Sequence, residues 1–293
     1  MKKLFWKIEE SRLRFFWRFA IYALLIVGAM FLLSAVVEWA VRQTAGDLPN
    51  GPLLQIVNGL ITTAAMLGAA VLAARWLDRR KFSDYGFHFS RRWWFDLAFG
   101  LALGAILMCL IFLVEWGLGW IQLEGTRPNR VPSWSWGAWI LSDAVFFICV
   151  GIYEEFFTRG YLLRNLAEAL HNRRIQPKTA LLLAYLISSS IFGLLHLANE
   201  NASLVSTLNL VAAGLFLGLG YVLTGQLATS IGLHITWNFF QGPVFGFPVS
   251  GGAPAAAGGS TEPSGPPAWA ANMKNRQSLN HGATIAAHTL RAG

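Results

Sequence analysis

The sequence predicts an all-α fold: a polytopic transmembrane helical bundle of about seven spans, preceded by an N-terminal interfacial helix. Three observations lead there. Of 293 residues, 55% are hydrophobic and only 13% charged, whereas soluble domains carry about a quarter charged residues. The charges are clustered, so that 19–37, 48–74, 97–114, 179–199 and 201–261 contain no Asp, Glu, Lys or Arg. Several of these stretches reach the ~20 apolar residues that cross a bilayer as a helix. Because the apolar runs are continuous and do not alternate, a spanning β-barrel is excluded.

Residues 1–18 mix Lys2, Lys3, Lys7, Arg12, Arg14 and Arg18 with Phe5, Trp6, Leu13, Phe15, Phe16 and Trp17, the composition of a helix lying in the interface. Span 1 follows over 19–37 and ends at Glu38-Trp39 without a small-residue cleavage site, so it reads as a retained span and not as a signal peptide. The turn signal Pro49-Asn50-Gly51-Pro52 opens span 2 over 53–74, and span 3 covers 97–114. Span 4 starts near Trp136, its apolar pattern interrupted by Asp143, Glu154 and Glu155. Spans 5, 6 and 7 cover 179–197, 204–223 and 227–240. From Ser250 the composition turns to Gly, Ala, Pro and Ser, and from Lys274 to a polar segment too short of apolar residues to span, which predicts a disordered tail. Cys109 and Cys149 fall inside apolar segments, which speaks against a disulfide framework or a multi-cysteine zinc site.

The formal charge is +8, and its location decides what it means. With a cytoplasmic N-terminus and alternating spans, residues 1–18, 75–96 and 154–178 face inward, and together they hold 17 of the 23 Lys and Arg. That is the positive-inside pattern. It leaves no basic surplus for a nucleic-acid partner; the lipid bilayer is the partner the charges serve.

Ionisable side chains at membrane depth cost roughly 2.5–3.5 kcal/mol each on insertion scales, so they mark function or packing. Glu155 and Arg159 are i,i+4 neighbours and can pair, while Glu154 points about 100° away and is left free for chemistry. The alternative is interfacial charge at the end of span 4. If the helix runs on to a turn at 171–177, Glu154 and His196 each lie about 20 residues from that turn, so antiparallel packing brings them to one level. Phe192 and His196 share a face at i,i+4, as do His234 and Asn238 on span 7. Polar side chains on an apolar helix must point into the protein or a wet cavity, although helix-to-helix hydrogen bonding would also satisfy them. A free carboxylate and two imidazoles on three spans form the set that water activation requires. Glu154 can take a proton from water, one histidine can supply or orient it, and the other histidine with Asn238 can hold a developing oxyanion. The same Glu154, His196 and His234 could instead ligate a divalent metal such as zinc. Asp143 lies three turns before Glu154 and belongs either to the same cavity or to the span end. Gly214 and Gly218 suit close helix packing.

The strings Glu154-Glu155-x-x-x-Arg159, Phe192-x-x-x-His196 and His234-x-x-x-Asn238, in this order, resemble the CPBP family of intramembrane proteases, which includes type II CAAX prenyl endopeptidases and bacterial bacteriocin-processing and self-immunity relatives. The resemblance covers about 130–248. It implies a bacterial plasma-membrane enzyme with a conical cavity open to the cytoplasm, in which glutamate-activated water hydrolyses a peptide or protein substrate. It also implies catalytic roles for Glu154, His196, His234 and Asn238, with Glu155, Arg159 and Phe192 orienting the site. The chain then divides into an interfacial helix (1–18), spans 1–3 (19–129), a CPBP-like core (130–248) and a tail (249–293). The rival from another class is a non-proteolytic immunity or scaffold protein that uses the same polar cluster for partner binding. A small-solute transporter finds no inverted repeat in its favour.

Overall fold

A computed structural model describes residues 5–7, 12–44, 51–123, 134–199, 201–250 and 261–263. The chain is an all-α polytopic bundle. Among the described residues, six helices are long and apolar enough to cross a membrane: Phe15–Gln43, Pro52–Asp78, Arg91–Gly117, Trp136–Leu170, Pro177–Ala198 and Leu204–Thr224. This is an integral membrane protein.

In chain order, α1 is Phe15–Thr44, α2 Pro52–Leu72, α3 Arg91–Gly117, α4 Trp136–Glu155, α5 Arg164–Leu170, α6 Pro177–Leu195, α7 Leu204–Thr224 and α8 Ala228–Phe239. A π-helical stretch, Phe156–Leu163, joins α4 to α5 into one long rod. Helix starts follow the local sequence. The Ser90, Ser135 and Ser203 hydroxyls accept from the backbone N–H three residues on, at 3.2, 3.2 and 3.1 Å, and Pro52 and Pro177 occupy first-turn positions. The seventh expected span is the 12-residue α8, extended by the π-turn Phe240–Val244. It is too short for lipid on all sides and lies inside, along α3. Gly100, Gly104 and Gly232 permit that crossing. A Cβ on Gly232 would meet the Leu101 backbone nitrogen at 2.7 Å, so any side chain would push the helices apart.

The N-terminus departs from the expected interfacial helix. Among its described residues Trp6–Lys7 (β1) pairs antiparallel with Arg12–Leu13 (β2), and the spanning helix already begins at Phe15. The reason is electrostatic: among the described residues, the Arg12 and Arg18 side chains are drawn into the bundle. The Arg18 guanidinium is buried against the Asp78 carboxylate and donates to Asn165 Oδ1 at 2.9 Å. Arg12 donates to the Asp78 carbonyl at 3.2 Å and to Glu168 at 3.3 Å. A second short ladder pairs Ile121–Leu123 (β3) with Thr261–Pro263 (β4); the expectation of tail disorder otherwise falls outside the described residues.

One length relation makes the site. The rod from Trp136 to Leu170 has 35 residues, about 52 Å at ~1.5 Å per residue. Helix α6 packs along its later part and stops at Leu195, level with Glu154. The turns from Trp136 to Tyr153 therefore run on past the end of α6, and a cavity of about 790 Å³ fills the gap. On the other side of Glu154 the bundle is solid, with Tyr22, Tyr85, Phe156 and Tyr161 each 0% exposed.

Candidate active site

Four elements deliver side chains to the inner end of this cavity. The last turn of α4 carries Glu154 and Glu155 on different faces. The Glu155 side chain is 0% exposed, whereas Glu154 keeps 23% and lines the cavity. Arg159 donates to Glu155 Oε1 at 2.8 Å, to the Thr158 hydroxyl at 2.7 Å and to the Gly214 carbonyl at 2.6 Å, and its guanidinium sits 4.7 Å over the Phe192 ring. The i,i+4 pair read from the sequence is thus formed, and Glu154 is left out of it.

The histidines complete the cluster. His196 ends α6 and His234 lies in the middle of α8, and the Nε2 atom of each stands 3.9 Å from Glu154 Oε2. His196 Nδ1 contacts the Phe192 carbonyl at 2.8 Å. A carbonyl only accepts, so Nδ1 is the donor in this contact and Nε2 is the nitrogen turned toward Glu154. His234 Nδ1 contacts Glu155 Oε1 at 2.8 Å, and the same logic leaves its Nε2 turned toward Glu154. The Phe192 ring lies 5.0 Å from the His196 ring and 6.0 Å from that of His234, a wall holding both imidazoles and the Arg159 cation. Asn238, one turn beyond His234, is buried and lines the same cavity. The structure therefore gathers all seven residues singled out in the sequence around one volume.

Asp143 also belongs to the cavity. It accepts from Gln55 Nε2 at 2.8 Å, across from α2. Thr158 and the Gly214 carbonyl were missed by sequence reasoning. Thr158 donates to the Glu154 carbonyl at 2.6 Å while accepting from Arg159, and nothing in its type or spacing separates it from an ordinary helical threonine. Gly214 was read as packing alone, yet its close approach is what puts its carbonyl in reach of Arg159.

The donor set of the zinc alternative is looser here than a bound ion would hold it. Ligand atoms about 2.1 Å from a tetrahedral zinc lie about 3.4 Å apart, against 3.9 Å between Glu154 and each histidine. Among the described residues no three His, Cys, Asp or Glu side chains are grouped to hold a metal ion.

Residues 133–240 match the family model for type II CAAX prenyl endopeptidase, Rce1-like. This stretch is a CPBP-family domain. The match supports a CAAX-type membrane protease in general terms. The CPBP domain takes in α4 to α8, and with them every residue of the cluster. No curated protein and no solved structure matches the chain.

The placement of the CPBP cavity also sets two expectations against each other. It occupies the end of the bundle away from the basic loops, so a cytoplasmic basic side and a cytoplasm-open cavity cannot both hold.

Proposed function

We propose that the chain is an intramembrane endopeptidase in which Glu154 activates water against a peptide carbonyl. The observation that carries this reading is the convergence of His196 and His234 on one oxygen of Glu154, at 3.9 Å each, at the closed end of a large cavity. That spacing leaves room for a water between the carboxylate and the rings.

In the proposed reaction, Glu154 takes one proton from the water and the oxygen adds to the carbonyl carbon. His196, with its Nε2 held in place from Nδ1, accepts a hydrogen bond from the same water and fixes its direction. The resulting oxyanion is held by the Asn238 amide and by His234. His234 donates from Nε2 when its ring holds both protons, with Nδ1 held by the Glu155 carboxylate. Glu154 then returns the proton to the leaving amine as the C–N bond breaks, so that peptide and water become acid and amine. No step needs a metal.

The test is to incubate the purified, detergent-solubilised full chain with a library of membrane peptides, with and without chelator. Cleavage by wild type and none by Glu154→Gln supports the reading. No cleavage of any peptide favours the partner-binding alternative, and chelator-sensitive cleavage would replace the metal-free route.

A further inference from the structure

We propose that the cavity is entered from the membrane face opposite the cytoplasm, so that it takes an apolar peptide segment exported to, or anchored in, the outer leaflet. Calling that occupant a substrate rests on the peptidase reading above; the side of entry does not.

Three lining elements meet the cavity with one end and carry cations at the other. Helix α2 lines it through Gly51, Leu54, Gln55 and Asn58 in its opening turns, and its far end runs into Arg79, Arg80 and Lys81. The long rod lines it from Trp139 to Thr158, then continues through Arg164 to a loop with Arg173 and Arg174. Helix α6 reaches it with Leu195 and His196, and Lys178 stands in its first turn. These cations, with Arg12 and Arg18 against Asp78, mark one end of the bundle and the cavity the other, while Arg159 is buried at the site on Glu155. Lys and Arg are retained on the cytoplasmic side, which puts the mouth outside.

Packing agrees with charge. A peptide arriving from the basic end would have to part the Tyr22–Tyr161 contact, with centroids 3.9 Å apart, and the Tyr85–Phe156 edge contact at 5.6 Å. Toward the other end the walls are apolar, with Trp139, Phe146, Phe147 and Val150 on the rod. The Gln55–Asp143 pair there can engage a peptide backbone. A prenylated tail on a cytoplasmic protein would sit on the wrong side of this cavity.

The test is cysteine labelling of the full chain in a bacterial inner membrane, on a Cys109→Ala, Cys149→Ala background, with a membrane-impermeant maleimide. Asn58→Cys and Ser250→Cys line the cavity, and Arg173→Cys reports the basic loop. The expected pattern is labelling of both cavity positions in intact cells, with Arg173→Cys labelled only in inverted vesicles. The reverse pattern, labelling of all three from one side, or cavity positions unreactive from either side would overturn the proposal. The outcome is independent of catalysis. Outside labelling without peptide cleavage would sink the peptidase reading and leave the side of entry standing, and cleavage with the reverse pattern would do the opposite.

Discussion

His234 Nδ1 and the Arg159 guanidinium share a single oxygen of Glu155, each at 2.8 Å. One buried carboxylate therefore ties α8 to the rod while balancing a buried cation, and its neighbour Glu154 is spared for the cavity. The two adjacent glutamates should fail differently when neutralised. Glu155→Gln leaves Arg159 uncompensated, and breaking a buried pair costs about 3–5 kcal/mol. A clear drop in the thermal unfolding midpoint in detergent is expected, with activity falling alongside.

Glu154→Gln should instead abolish peptide hydrolysis with an unfolding midpoint near that of wild type, because the amide keeps the shape and removes only the base. Matching melting curves and paired activity assays on the two variants check this division. Equal behaviour of the two would show that adjacent position does not separate their roles.

The spans and the gathering of the cluster were legible because both follow from spacing. Continuous apolar runs give the helices, and equal distances from the turn at 171–177 bring Glu154 level with His196. His234 sits only about nine residues past its own turn, and its level is met because the end of the rod through Leu170 protrudes beyond α8. Two features were not legible. The bond between His234 and Glu155 joins residues 79 apart, and helical spacing says nothing about which face of α8 turns to which oxygen. The inward pull on Arg18 depends on Asp78, 60 residues away; in the sequence Arg18 is one more cation in a basic, aromatic segment.

That Arg18–Asp78 pair gives a prediction away from the cavity. Asp78 also accepts from the Tyr85 hydroxyl at 2.6 Å, so it holds α1, the end of the second span and the following loop together. Asp78→Asn should destabilise the chain by about 3–5 kcal/mol, since Arg18 would remain buried without its counter-charge. The double variant Arg18→Met, Asp78→Leu should recover much of the loss. Thermal unfolding of the three variants decides it, and additive losses in the double variant would count against the pair.

Gly193 lies one turn before His196. A Cβ there would meet the Val211 backbone nitrogen at 2.8 Å and the Thr207 carbonyl at 3.0 Å, atoms that cannot turn aside. Gly193→Ala should push α6 off α7, at about 1–3 kcal/mol as for other overpacked cores. Because Phe192 and His196 ride on the same helix end, kcat should fall while the substituted atom touches no substrate. A variant with wild-type kcat and stability would show that the two helices adjust without moving His196.

Asn238 and His234 lie one turn apart on α8, and both are buried beside Glu154. If Asn238 donates to the oxyanion, Asn238→Ala should slow kcat by about 10²- to 10³-fold with little change in KM, since that bond exists only in the transition state. His234→Ala should cost at least as much, and it differs in one respect: it also removes the hydrogen bond that Nδ1 donates to Glu155, so its unfolding midpoint should drop while that of Asn238→Ala holds. Steady-state kinetics with melting curves on both variants separate the contributions. A rise in KM with kcat unchanged would assign Asn238 to substrate binding, and full activity in both would return α8 to a packing role.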